Sequence, residues 1–200
     1  MDTLVLPSGG MDTHAHLDLE NFSKDLDEVI KRANSKGVTY IVNVFLDIIS
    51  YKNKKNLFEN YQNIYFTLGI HPHEASKVSE QDISGMVNIF KQDSKLRAVG
   101  EIGLDYYRNY SPKQDQINVF KMQLEIAKQL DMPVVIHSRD ADKDTLKILK
   151  DMGFKDRPLM WHCFTKDMEL GDEILKKWLD DLNTRASYLF KDRKTTRSSK

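Results

Sequence analysis

Six histidines in this 200-residue chain fall into a pattern that could bind metal. His14 and His16 are one residue apart, as are His71 and His73, and His137 and His162 stand alone. Each lies at or near the end of a short apolar run. On a strand, side chains repeat with a period of two, so His14 and His16 share one face and two imidazoles can chelate one ion. Glu101 lies in the otherwise apolar run Val99-Gly100-Glu101-Ile102-Gly103-Leu104. A carboxylate there is expensive to bury unless it is paired or metal-bound. Taken singly, each residue has an ordinary explanation. A histidine at a strand end is commonly hydrogen-bonded, and Glu101 could pair with an arginine such as Arg139. Together, His14, His16, Glu101, His137 and His162 give five nitrogen or carboxylate donors from four strands on one rim. That donor set suits zinc, manganese, iron or a similar divalent ion.

The elements that must position these donors alternate. Strands are expected over 11–17, 38–45, 64–70, 97–104, 133–137 and 159–164. Helices are expected over 25–36, 54–61, from Ser79 onward, over 111–130 and 141–152, with a last one over 168–182. Gly37 and Gly153 read as helix stops, and Pro112 as a first helical residue. Such alternation implies a parallel sheet with helical crossovers. Near-continuous apolar strands such as Tyr40-Ile41-Val42 and Val134-Val135-Ile136 fit a sheet covered on both faces. The strands alone leave a doubly wound sheet and a barrel open. Polar residues gathered at the strand C-termini favour the barrel, which builds its site there.

Composition narrows the partners. Lys+Arg and Asp+Glu are both 30, so the formal net charge is zero, unlike that of a globally basic nucleic-acid binder. The single cysteine excludes an internal disulfide and fits a reducing compartment. No apolar run approaches the ~20 residues of a membrane helix. The first ten residues do not read as a secretory signal, so a cytoplasmic place is expected. Cys163 is expected to be a small buried side chain, and Asp105, Asp140 and Asp142 to be loop or cap residues. Gly100 and Gly103 open no helix and are not a nucleotide-binding fingerprint. Trp161 and Trp178 read as packing residues.

Five segments, in order, resemble the TatD-type metal-dependent deoxyribonucleases. They are Met11-Asp12-Thr13-His14-Ala15-His16-Leu17-Asp18, Gly69-Ile70-His71-Pro72-His73, Gly100-Glu101-Ile102-Gly103-Leu104-Asp105-Tyr106, Val135-Ile136-His137-Ser138-Arg139 and His162-Cys163-Phe164. The resemblance runs from Gly10 to Thr165. It implies a TIM barrel and two divalent metal ions (Zn, Mn, Mg or Ni). It also implies hydrolysis of DNA phosphodiesters as a 3′→5′ exonuclease on single strands. By that resemblance His14 and His16 hold the first metal, Glu101 bridges both as the catalytic residue, and His137 and His162 hold the second. His71, His73, Arg108 and Arg139 then face substrate phosphate, with Arg139 ranked highest because a guanidinium meets phosphate bidentately. Its alternative role is a salt bridge to Asp105 or Asp140.

The family pattern continues with two more strand-helix units, the last supplying an aspartate in a Thr-Asp-Ser-Pro-like segment that completes the first metal. No such segment occurs in this chain. The expectation is therefore an incomplete barrel of about six units over 1–169. A divergent helix and a basic polar tail over 170–200 would follow, through a premature end or a frame change, with nuclease activity weak or absent. Two other readings remain. One is a related barrel enzyme acting on amides, esters or deaminating bases, which Glu101, in place of a carboxylated lysine, disfavours. The other is an inactive or partner-dependent fragment.

Overall fold

The computed structural model describes residues 9–163. Six strands lie in one parallel sheet: β1 (Gly10–Ala15), β2 (Val38–Phe45), β3 (Ile64–Leu68), β4 (Leu96–Asp105), β5 (Val134–Arg139) and β6 (Leu159–Trp161). Their spatial order is β1-β2-β3-β4-β5-β6. A doubly wound sheet reverses its strand order at a switch point, and this one does not. It curls as an incomplete (β/α) barrel. The expected helix over 168–182, the boundary at 169 and the tail beyond it lie outside the described residues.

Five helices connect the strands: α1 (Leu26–Ser35), α2 (Ile48–Lys54), α3 (Glu80–Gln92), α4 (Lys113–Leu130) and α5 (Asp142–Asp151). Their ends follow local chemistry. Ser79 and Asp82 form a reciprocal capping box that starts α3. Gly37 (φ 86) and Gly153 (φ 71) follow the ends of α1 and α5 in the left-handed region that glycine adopts without cost. Two expectations need correction. The helix expected over 54–61 begins earlier, at Ile48, because the Asp47 carboxylate accepts from the Ser50 amide and caps it there. Lys55–Phe58 is then a short 3-10 turn. Pro112 is the residue before α4 rather than its first member, with an extended ψ of 142°.

Alternation, interrupted in β4 by a register shift between Val99 and Ile102, divides the strand side chains into two layers. Outward, Ile41, Phe45, Phe66, Leu68, Val99, Ile102, Leu104, Val134 and Ile136 pack with Phe58, Ile83, Met86, Phe90, Phe120 and Leu124 in one core. Inward, the smaller Thr13, Val42, Thr67, Ala98 and Val135 line a cavity of about 180 Å³ with Met160. Small residues suit the concave side of a curled sheet, where neighbouring strands converge. Among the described residues, no helix is long and apolar enough to cross a membrane.

Candidate metal centre

The donors converge at the C-terminal rim of the sheet. Strand β4 brings up Glu101 and, four residues later at its end, Asp105. Both carboxylates are buried. β1 carries His14, with His16 just beyond its end, β5 carries His137, and His162 follows β6. His71 and His73 come from the turn after β3, where His71 caps the 3-10 segment Pro72–Lys77.

Glu101 sits between two groups of donors. On one side are His14 and His162, on the other His71 and His137, and within each group the ligand atoms lie within 4.8 Å of one another. Glu101 Oε1 is 2.6 Å from His137 Nδ1, and Oε2 is 3.2 Å from His14 Nε2. The rings of His14 and His162 stack at 3.4 Å, while His16 meets His14 edge-on at 5.1 Å. His16 Nδ1 lies 3.1 Å from the Val44 carbonyl. That oxygen can only accept, so Nδ1 carries the proton and Nε2 keeps its lone pair for a ligand. The geometry thus groups His14 with His162 and His137 with His71. The resemblance instead pairs His14 with His16 and His137 with His162.

Two observations fit these groups to a cation. Both ring nitrogens of His14 are buried without a hydrogen-bond partner among the described residues, although Nε2 stands 3.2 Å from a carboxylate oxygen. An orphaned buried imidazole facing a carboxylate out of hydrogen-bond alignment is how ligands are arranged around a missing positive charge. The donor chemistry, imidazole nitrogen and carboxylate oxygen, is also that of a transition-metal or zinc site.

The electrostatics keep the donors ready. Burial alone would raise the Glu101 pKa. The hydrogen bond to His137 and the close approach of the His14 ring, with the charge of His137, more than reverse that, and the carboxyl is held far below its usual range. Burial, aided by the nearby His137, pushes His71 down to about 3, so its ring stays neutral. Burial likewise lowers His162, with His14 contributing. His137 goes the other way. Burial would lower it, but it lies between Glu101 and Asp105 and is raised.

Asp105, expected to be a loop or cap residue, is instead part of the site. Its Oδ2 is 2.7 Å from His73 Nε2 and 3.2 Å from His137 Nε2, and its Oδ1 accepts from the Arg108 amide at 2.8 Å. Burial would raise its pKa, yet these partners hold it below its ordinary value. The signal was present: the period of two that turns Glu101 to the rim also turns Asp105 there. Asp142, expected in a loop or cap, is instead the first residue of α5, where it accepts from Ser138 Oγ at 2.7 Å. Cys163 is corrected. It is exposed with φ 49°, because β6 ends at Trp161 and strand alternation no longer governs it. Arg108 and Arg139 reach Tyr107, their guanidinium carbons 5.8 and 3.8 Å from its ring centre.

Two buried glutamines of α4 hold the rim. The Gln116 amide accepts from the Asp105 backbone N–H at 2.8 Å and donates to the carbonyls of Asp105 and Ser111 at 3.2 and 2.8 Å. Gln123 does the same for Ile70, accepting from its N–H at 2.6 Å and donating to its carbonyl at 3.0 Å. Both sit on the buried stripe of an otherwise apolar helix face, and sequence reading passed over them. Gln116→Leu leaves these backbone groups unpaired in a dry interior. Each costs about 1–3 kcal/mol, so urea unfolding should show a loss of roughly 2–4 kcal/mol.

Comparison with known proteins gives the family. The family model described as TatD related DNase matches residues 11–186. The chain is 39% identical over 165 residues to the uncharacterized metal-dependent hydrolase YabD of Bacillus subtilis, covering 82% of this chain and 64% of that protein. It is 33% identical over 168 residues to the 3'-5' ssDNA/RNA exonuclease TatD of Citrobacter koseri, covering 84% and 64%. The crystal structure of YJJV, a TatD homolog from Escherichia coli K12, superposes with a TM-score of 0.76 at 29% identity, covering 84% of this chain and 64% of that one. A TatD family hydrolase from Entamoeba histolytica shares the fold at 23% identity with a TM-score of 0.79, covering 86% of this chain and 64% of that one. The chain spans just under two thirds of these relatives' length. It belongs to the TatD related DNase family of metal-dependent hydrolases.

Proposed function

We propose that this rim binds two divalent cations and hydrolyses phosphodiester bonds of single-stranded nucleic acid, DNA first, from the 3′ end. The observation that carries the proposal is one buried carboxylate, Glu101, shared by two donor groups at the C-terminal rim of a parallel barrel sheet. His14 and His162 would hold one cation and His71 and His137 the other, with Glu101 common to both and His16 beside the first. When bound, such cations polarise a phosphoryl oxygen, acidify a water and stabilise the leaving oxygen. The chain's own residues do the rest. Neutral His71 offers a lone pair rather than a competing charge. Asp105 orients the rings of His73 and His137 through Oδ2. The guanidinium groups of Arg139 and Arg108, both against Tyr107, would meet a phosphate with paired N–H donors. The C. koseri relative, named for ssDNA and RNA, supports the substrate class. A single cysteine supports a reducing, cytoplasmic setting.

The test uses the whole chain. Incubation with manganese or zinc and a single-stranded oligonucleotide should release mononucleotides progressively from the 3′ end, and absence of products with every divalent metal overturns the reading. Cation binding is checked separately by melting. A ligand at a hundred times its Kd stabilises by about 2.7 kcal/mol. For a chain of this size that should raise Tm by roughly 5–10 °C, reversed by chelator.

A further inference from the structure

Between β4 and α4, beside the metal centre, three tyrosines to which the hydrolytic site gives no role stand against neighbouring cations. Tyr107 and Tyr110 are 59% and 64% exposed, among the few large apolar side chains left open to solvent. Their surroundings are ordered by contact. The Arg139 guanidinium lies 3.8 Å over the Tyr107 ring. The Tyr110 ring meets His73 at 4.8 Å, and His73 Nε2 is in turn 2.7 Å from Asp105. The Lys113 ammonium lies 4.1 Å over Tyr106, whose hydroxyl donates to Asp144 at 2.8 Å. The Tyr106 amide donates to the Arg139 carbonyl at 2.9 Å, fixing this connection to the end of β5.

Exposed rings in such a place need a reason. An apolar plane held open to water is unfavourable, and a guanidinium stacked on one face keeps a ring rigid while leaving its other surface free. Aromatic faces bordered by positive charge, next to a centre that takes phosphate, match the chemistry of an unstacked nucleobase. Bases stack on tyrosine rings and on guanidinium planes, and their phosphates seek the neighbouring cations. Resting on the reading of the site as a nucleic-acid hydrolase, we propose that Tyr107 and Tyr110 form the platform that receives an unpaired base next to the scissile phosphate. This platform selects a single-stranded end over a duplex, whose bases are already stacked and cannot reach it.

The experiment measures binding apart from cleavage. A fluorescent hexanucleotide with hydrolysis-resistant phosphorothioate linkages is titrated with the full chain in manganese, as DNA and as RNA of one sequence. A second strand lacks its terminal bases, and a third is fully paired. Tyr107→Ala and Tyr110→Ala should each weaken binding of the intact strands about 10- to 100-fold, the range measured for removal of one stacking ring. Both should leave the abasic strand unchanged within about 2-fold, and Tyr107→Phe should bind like wild type. Equal losses on intact and abasic strands, no loss on either, or equal affinity for the duplex overturn the platform. Cleavage of the unmodified strand is read in parallel. Tyrosine-dependent binding without cleavage leaves the platform standing and removes the hydrolase reading; cleavage with tyrosine-independent binding does the reverse.

Discussion

Glu101→Gln should abolish cation-dependent hydrolysis, lowering the rate by roughly 10³-fold or more, and should reduce the cations bound at saturation. The reason is position rather than charge alone. Each oxygen of this carboxylate faces a different donor group, Oε1 toward His137 and Oε2 toward His14. Glutamine keeps the shape but removes the negative charge and makes one of the two atoms a donor, which repels a cation. Isothermal titration with manganese or zinc checks the binding half without any substrate. A variant that still takes up as much metal as wild type would contradict the shared-ligand arrangement. The same titration has a pH signature. His137 is raised above its ordinary value by Glu101 and Asp105 against the opposing effect of burial, so it holds its proton to higher pH than a free imidazole. A cation must displace that proton. Affinity should therefore rise with pH through the ordinary imidazole range near 6.5 and beyond it, with proton release on binding. His71, held at about 3, imposes no such competition near neutrality.

Gly103→Ala should be the most damaging alanine substitution among the described glycines. Gly103 has φ +146°, a backbone conformation that is essentially glycine's alone, and an added Cβ would overlap the His137 carbonyl oxygen across the β4–β5 ladder. Neither the strand nor its neighbour can move aside without displacing Glu101, Asp105 and His137 together. Strain and overlap together should cost roughly 3–4 kcal/mol, a large part of the 5–15 kcal/mol that holds an ordinary domain. Thermal melting should show a fall of roughly 10 °C. Gly85 is the control. It lies within α3 with no atom within 4 Å of where a Cβ would stand. Gly85→Ala should stabilise by about 0.5–1 kcal/mol. If both substitutions shift the melt equally, the close approach of β4 and β5 is not what makes Gly103 necessary.

Local features were legible where local physics decides them. The strand over Val38–Phe45 and the start of α3 after Ser79 follow from β-branched residues and a capping pair. So does the order of strands and helices, which hydrophobic periodicity sets. Whether the sheet winds once or twice is a question of long-range pairing, and no strand carries that in its own period. The same holds for the donors. Sequence placed His14, His137 and His162 at or near strand ends and Glu101 within the fourth strand, but which imidazole meets which is set by the curl that brings β6 back toward β1. That curl stacks His162 on His14. Asp105 escaped because the strand was ended one residue early, at Leu104, and a carboxylate just past a strand looks like a cap. The start of α2 escaped because a single aspartate side chain, Asp47, decides it against a weak apolar pattern. Gln116 and Gln123 escaped because a polar residue on a helix is ordinarily solvated.

Those two glutamines turn α4 into a gauge. They stand seven residues apart, close to two full turns, so both amides leave the same side of the helix about 10 Å from each other. One grips the backbone at Ile70, just past β3, and the other at Asp105, the end of β4. Deleting or inserting one residue between them swings one amide about 100° around the axis and off its target. The length of that stretch is therefore locked to the spacing of two strand ends.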